Sequence, residues 1–278
     1  VKNYVEGKSI IITGAGGGFG GLVSQKAAAM GAKIICADIN LAAAEVVVAA
    51  IHDAGGTAQA VAADVTDAAQ MRELASVALA AFGSIDVMIN NAGIMPLAFM
   101  SDHPVALDKW HQCIDINFKG VINGTVAVYD QMMVQGRGQI INISSIYGNH
   151  AVLGSAVYGA TKAAVNYFSD SLRVDARGKI KVTVVKPTAV LNTGLGAGVI
   201  NPAAAGGSVG HNMDEQGALL QSFIEGNSPD EAHDSGNIGY QIMDPEHIAD
   251  SIIYAINQPW GVSIGDITIR ASGDYYTV

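Results

Sequence analysis

Tyr158 and Lys162 stand four residues apart in the run Tyr-Gly-Ala-Thr-Lys. On a helix that spacing brings both side chains to one face. An ammonium beside a phenol favours the phenolate, lowers its pKa and makes a usable general acid/base. Alone, such a pair is more often a solvated helix face. Ser144-Ser145 lies upstream, and its second hydroxyl is thirteen residues before Tyr158. A loop there could bring a hydroxyl to the same substrate oxygen. His150 falls between the serines and Tyr158, as a pocket residue or as loop surface.

A second constellation is Thr13-Gly14-Ala15-Gly16-Gly17-Gly18-Phe19-Gly20, which joins a β-branched run to an Ala-rich one. Glycines let a backbone approach a diphosphate, and a helix N-terminus adds free N–H groups and positive dipole. Gly16, Gly18 and Gly21 fit GxGxxG, whereas Gly14, Gly18 and Gly20 fit TGxxxGxG. Asp38 follows twenty residues after Gly18, at the end of the next strand. A carboxylate there accepts bonds from the adenosine ribose and repels a 2′-phosphate. No Lys or Arg occurs in the glycine turn or directly after Asp38, so NAD is expected rather than NADP. Asp64-Val65 and Asn90-Asn91-Ala92-Gly93 follow two further strands, where open sheets bind ligands. Asp64 suits the adenine amino group, although Asp64 and Asn90 are also ordinary turn formers.

The elements that must position these groups alternate regularly. Strands are expected at Ser9–Ile12, Lys33–Ala37, Ala58–Ala62, Ile85–Ile89, Gln139–Ile143, Val182–Val185 and Ile264–Ile269. Helices are expected near Gly18–Met30, Leu41–Ala54, Asp67–Phe82, Pro104–Val134, Ser155–Ala176 and Pro245–Asn257. Most strand runs are nearly continuous in Val and Ile, the mark of burial on both faces. The alternation implies βαβ units, hence an α/β doubly wound parallel sheet of seven strands across residues 1–278 as one Rossmann-type domain. Residues 188–244 break the rhythm, with a Gly/Ala/Pro-rich start and one helix near Asp214–Glu225. Long excursions of this kind are usually functional or disordered.

Composition narrows the classes further. The 278 residues carry a formal net charge of −10 and no Lys/Arg run, which argues against nucleic acid and anionic membrane surfaces as partners. No apolar run is long enough to span a bilayer, and Val1–Gly7 lacks a signal-peptide core. Two cysteines, Cys36 and Cys113, provide neither a disulfide framework nor a cysteine metal site. They read as core residues in a reducing, cytoplasmic setting. No metal is expected.

Taken together, the Thr13–Gly20 turn, Asp64-Val65, Asn90–Gly93, Asn117, Ser145, Tyr158 and Lys162 resemble the short-chain dehydrogenase/reductase family in its core form. The resemblance covers nearly the whole chain. It implies a sheet order of 3-2-1-4-5-6-7 and a homo-dimer or homo-tetramer. It also implies a catalytic tetrad of Asn117, Ser145, Tyr158 and Lys162, with Ser145 preferred over Ser144 by spacing. Tyr158 would move the alcohol proton, and Lys162 would lower its pKa and hold the nicotinamide ribose. Asn117 would hold a relay water through its backbone at a helix irregularity. The cofactor set would be Gly14, Gly18, Phe19, Gly20, Asp38, Asp64, Val65, Asn91, Ala92, Gly93, Tyr158, Lys162, Pro187 and Val190. Two features depart from the family. Thr188 follows Pro187 where a Gly is usual, and the Thr falls one place late, so either Asn192 or Thr193 stands at the amide-contacting position. The excursion 188–244 is long and resembles an enlarged substrate cap.

The implied reaction is NAD-dependent interconversion of a secondary alcohol and a ketone, by direct hydride transfer and without a metal. Met95, Leu97, Phe99, Met100 and Leu153 suggest an apolar pocket for a cyclic or aromatic small molecule. The alternatives are an epimerase or dehydratase with retained NAD, and a non-catalytic NAD-binding scaffold. The 188–244 segment is expected to act as a lid, because its Gly194–Gly210 part has few large apolar anchors.

Overall fold

The computed structural model describes residues 2–188, 190 and 193–277. Seven strands form one parallel sheet in the order β3-β2-β1-β4-β5-β6-β7. They are β1 Ser9–Thr13, β2 Lys33–Asp38, β3 Thr57–Ala62, β4 Val87–Asn90, β5 Gly138–Ile143, β6 Ile180–Pro187 and β7 Asp266–Ile269. β1, β4 and β5 are buried at every residue, as continuous apolar runs require. The edge strands β3 and β7 are only partly buried and alternate in exposure.

Helices cover both faces. α1 (Gly18–Ala29), α2 (Leu41–Asp53) and α9 (Pro245–Ile256) pack Val23, Val47, Ile248 and Ile252 onto one face. α3 (Ala68–Phe82), α5 (Gly120–Gln135) and α6 (Ala156–Asp175) pack Leu74, Val128, Met132 and Leu172 onto the other. The long helix expected at Pro104–Val134 is present with an inner break. α4 (His103–Ile114) runs into α5 through one π-helical stretch, Asp115–Lys119. The order reverses between β1 and β4, so their carboxyl ends open a crevice at a topological switch point.

Residues 188–244 hold short 3₁₀ turns, α7 (Met213–Ile224) and a four-residue α8 (Asp230–His233). Their anchoring differs from the expectation. Ala204 and Ser208 are fully buried and Val209 nearly so. The N–H groups of Ile200 and Asn201 both donate to the Leu97 carbonyl, each at 3.0 Å. Small residues let this stretch pack closely: a Cβ on Gly207 would strike the Leu153 carbonyl. Few large side chains are needed where the backbone itself is bonded.

Candidate active site

The glycine turn is built for close approach. Gly14 (φ 65°) and Gly18 (φ 51°) occupy the left-handed region that L side chains rarely adopt. A Cβ on Gly20 would strike the Gly14 carbonyl and the Asn91 amide. Gly21, by contrast, has ordinary room, with its nearest neighbour at 3.4 Å. The structure therefore requires Gly14, Gly18 and Gly20 more strictly than the Gly16/Gly18/Gly21 set. α1 begins without a side-chain cap, so its first N–H groups face the crevice as an anion site.

Asp38 closes over this turn from the end of β2. Its Oδ2 accepts the Gly16 N–H at 2.9 Å and its Oδ1 accepts the Asn40 N–H at 2.9 Å. Asp64 sits at the end of the neighbouring strand, where Oδ1 accepts both the N–H and the hydroxyl of Thr66 at 2.8 Å. Asp64 thus does form a turn. Val65 is buried against Gly120, and its carbonyl accepts from Asn123.

Asn91 ties β4 to the glycine turn, donating from Nδ2 to the carbonyls of Thr13 and Gly14 at 2.9 and 3.1 Å. Asn90 turns inward instead and donates to Asn142 Oδ1 at 2.8 Å within the core. Gly93 passes between Asn117 and Lys162; an added Cβ would lie 3.3 Å from Asn117 Oδ1 and 3.7 Å from Lys162 Nζ. Asn117 is buried in the π-helical stretch. Its side chain clamps Ile94, accepting the N–H and donating to the carbonyl, each at 2.9 Å. That leaves its backbone, in the irregular turn, as the group that could serve a relay. Such π stretches are frequent at functional sites.

Ser144 and Ser145 separate in role. Ser144 Oγ donates to the Lys162 carbonyl at 3.1 Å and so fixes α6 to β5. The Ser145 hydroxyl accepts the Tyr147 N–H at 3.2 Å and hydrogen-bonds the Tyr158 phenol. Tyr158 is 3% exposed and Lys162 6%. The Lys162 ammonium donates to the Ile143 carbonyl at 2.8 Å and lies 5.7 Å from the Tyr158 ring centroid. Burial pushes the Tyr158 phenol well above its ordinary range, and the Ser145 hydrogen bond opposes it. Burial also lowers the Lys162 pKa to about 8. The expected lowering of the tyrosine by the lysine is not found: the ammonium donates to the Ile143 carbonyl, and desolvation sets the direction of the Tyr158 shift.

These groups share one cavity of about 650 Å³. Its lining runs from Gly14, Gly18 and Phe19 past Asn91–Gly93 to Ser145, Tyr158, Lys162, Pro187 and Val190. Asn117 stands behind that wall, and Gly20, Asp38, Asp64 and Val65 flank it without lining it. Thr193 lines the cavity, whereas Asn192 lies outside the described residues. Of the apolar residues expected to form the pocket, Met95 and Leu97 line it. Phe99 does not, and Met100 and Leu153 are 62% and 71% exposed because their loops turn outward. His150 is exposed loop surface.

The sequence reading missed Tyr147, Met213, Gln216, Asp274 and Tyr276, all of which line the cavity. Tyr147 stacks edge-on against Tyr158 at 5.7 Å. Its place two residues after Ser145 is a signal that was available. Thr188 was noted only as a departure. Its hydroxyl is buried with no hydrogen-bond partner among the described residues, and the residue lines the cavity beside Pro187. The glycine cradle, the uncapped helix and this orphaned hydroxyl fit a nicotinamide dinucleotide laid across the carboxyl ends of β1, β4 and β6. No group of three or more metal-ligating side chains is assembled among the described residues.

The short chain dehydrogenase family profile matches residues 8–201. The chain belongs to that family, and it is an oxidoreductase by membership. An uncharacterized oxidoreductase of Listeria innocua is 32% identical over 268 residues, covering 95% of this chain and 96% of the relative. Among solved structures, a 7α-hydroxysteroid dehydrogenase complexed with NADH and 7-oxo glycochenodeoxycholic acid is similar, with TM-score 0.79 and 25% identity. That match covers 98% of this chain and 97% of the other. An alcohol dehydrogenase of the archaeon Thermococcus sibiricus, complexed with 5-hydroxy-NADP, shares the fold at TM-score 0.76 and 19% identity, over 96% and 97% of the two chains. The expected sheet order and the family are therefore both borne out. The neighbours carry nicotinamide cofactors of both kinds.

Proposed function

We propose that this chain is an NAD-dependent dehydrogenase that interconverts a secondary alcohol and a ketone on an apolar, ring-bearing small molecule. The observation that carries this reading is the shared wall of Ser145, Tyr158 and Lys162 in a cavity that continues from the glycine turn. Gly14, Gly18, Phe19 and Gly20 would hold the diphosphate of the cofactor. Asp38 would take the adenosine ribose, and Asp64 with Val65 the adenine. Asn91, Ala92 and Gly93 would flank the nicotinamide ribose, which Tyr158 and Lys162 would bind, and Pro187 with Val190 would border the ring. When bound, the cofactor supplies the hydride acceptor or donor. Tyr158 gives a proton to the ketone oxygen during reduction and takes it back during oxidation. Its burial, which retains the proton, suits the donating step. Ser145 hydrogen-bonds the same oxygen and steadies developing charge. Lys162, whose ammonium is held by the Ile143 carbonyl, would serve chiefly to hold the nicotinamide ribose. The Asn117 backbone supports a water relay.

Asp38 favours NAD over NADP. A 2′-phosphate would meet its carboxylate, which is already drawn onto the glycine turn through Gly16. The hydroxysteroid dehydrogenase neighbour supports a ring-shaped apolar substrate. The segment 188–244 serves as the substrate cap, and the enzyme works as a homo-oligomer. A screen of NADH and NADPH formation across secondary alcohols tests the reading. Turnover with NAD at about ten- to a hundredfold higher kcat/KM than with NADP is expected, one or two steps of ~1.4 kcal/mol. Equal or better efficiency with NADP refutes the cofactor assignment.

A further inference from the structure

The segment after β7 folds back into the cavity, and its anchoring is specific. Arg270 grips Asp274 with two bonds, Nε to Oδ2 at 3.1 Å and Nη2 to Oδ1 at 2.7 Å. The same Nη2 donates to the Tyr276 carbonyl at 2.7 Å, and the Tyr276 N–H donates to Asp274 Oδ1 at 3.2 Å. Thr277 continues the lock through its N–H and hydroxyl, which donate to the Ser208 carbonyl at 2.9 and 3.1 Å. Asn212 donates to the Tyr275 carbonyl at 2.9 Å. This hairpin of contacts holds the Tyr276 ring against the apolar group formed by Leu97, Tyr147, Tyr158 and Val199.

Three tyrosines therefore meet in the substrate half of the cavity, and their hydroxyls differ. The Tyr158 hydroxyl belongs to the reacting corner. The Tyr147 hydroxyl is taken by Ser208 Oγ at 3.0 Å. The Tyr276 hydroxyl makes no hydrogen bond to a described residue, although the residue lines the cavity. The Tyr276 oxygen is not sealed off in the free protein, so a substrate that displaces cavity water must supply a partner for it or leave the phenol unpaired. Asp274 does not take this hydroxyl: its oxygens accept from Arg270 and from the Tyr276 N–H.

We propose that Tyr276 selects the substrate: its phenol donates to a second oxygen on the substrate, remote from the carbon that reacts at Tyr158. The substrate class is then an apolar ring compound with two oxygen functions, one reduced or oxidised and one recognised. Burial holds the Tyr276 proton on its oxygen, so the group acts as a donor to a carbonyl, ether or carboxylate oxygen. Arg270 is the positioning residue that posts Tyr276 into the cavity. The assignment rests on the dehydrogenase reading of the same site and adds to it the recognition of the far end of the substrate.

The test compares trans-1-decalone with 1,5-decalindione, which differ by one remote carbonyl. Calorimetry on the full chain with oxidised NAD bound measures affinity without turnover. Wild type should prefer the dione, and Tyr276→Phe should weaken dione binding about three- to tenfold, the worth of one hydrogen bond, while monoketone binding stays within about twofold. Tyr147→Phe, whose hydroxyl is occupied by Ser208, should keep the dione preference. A wild type with no preference, binding of neither ketone, equal losses for both in Tyr276→Phe, or loss of preference in Tyr147→Phe overturns the proposal. A preference that Tyr276→Phe abolishes, in a protein that never oxidises NADH with either ketone, supports Tyr276 and refutes the dehydrogenase reading instead.

Discussion

Lys162 gives the sharpest physical prediction, because its burial sets stability and chemistry against each other. The residue is 6% exposed, and burial lowers its pKa from 10.5 to about 8. Below the lower value both folded and unfolded chains hold the proton, and the fold carries the full cost of a buried charge. Between the two values the unfolded chain binds more protons, so stability rises with pH. Lys162→Met removes this titration and nearly conserves volume. Integrated from about pH 7 to about pH 9.5, wild type should gain roughly 2 kcal/mol relative to the variant. Lys8, also lowered to about 8 by burial, contributes to both proteins and cancels in the difference. Tyr158 has the opposite sign. Its folded pKa lies above the unfolded one, so its contribution is lost only as the unfolded phenol ionises near ~10. Urea unfolding at several pH values, read by far-UV circular dichroism, measures the difference. Parallel pH profiles for the two proteins refute the assignment of a buried, charge-bearing Lys162. Loss of turnover in the variant at every pH is expected alongside.

Other consequences are more direct. Tyr158→Phe should lower kcat by about 10²- to 10⁴-fold while NAD affinity changes little; near wild-type rates at any pH in a steady-state assay refute its role as the proton carrier. Gly20→Ala places a methyl against the Gly14 carbonyl and the Asn91 amide, so it should cost about 1–3 kcal/mol and weaken NAD binding. Gly17→Ala meets open space in extended backbone and should keep its Tm within a few degrees, and a thermal melt of both separates the cases. Limited proteolysis should cut within 225–239, where most residues are exposed, and spare 204–209, which the buried Ala204, Ser208 and Val209 anchor; added NAD should slow the cutting. Cleavage at 204–209, or none that responds to NAD, refutes this division of the cap.

The half of the cavity proposed for the cofactor was legible because each part is local in sequence. Thr13–Gly20 is one turn, Asn90–Gly93 one strand end, and Tyr158/Lys162 one helix face. Their residue types are forced by backbone approach, as at Gly14 and Gly20, or by proton chemistry. The strands and their parallel pairing followed from the same kind of pattern, since strands buried on both faces leave continuous Val and Ile runs, whereas their order was expected only through the family resemblance. The substrate half was not legible in this way. Met213, Asp274 and Tyr276 reach the cavity from segments far in sequence from Ser145 and Tyr158, and no spacing records that convergence. Leu153 and Met100 were expected in the pocket by proximity in sequence to Tyr158 and Gly93. Their loops turn outward, which apolar composition alone does not reveal. The π-helical stretch at Asp115–Lys119 was expected only through the resemblance, because its 3.6-residue pattern barely changes.

This division has a mechanical consequence. The cofactor half is fixed by strand ends and by bonds that cross the sheet, such as Asn91 to Thr13 and Ser144 to the Lys162 carbonyl. Moving any of these shifts the reacting groups themselves. The half proposed for substrate is assembled from the Leu97 and Ser208 carbonyls, which tie residues 200–201 and 277 to buried positions, and from the Arg270–Asp274 pair, which braces the segment after β7 on itself. Substitutions there change which molecule fits without moving Ser145, Tyr158 or Lys162. The buried tyrosine and lysine need a low-dielectric wall, and Tyr147, Leu97 and Tyr276 supply it. The residues proposed to recognise substrate are therefore also placed to exclude water from the Tyr158 corner, so a pocket variant that admits water should show its effect first in the pH dependence of kcat rather than in NAD affinity.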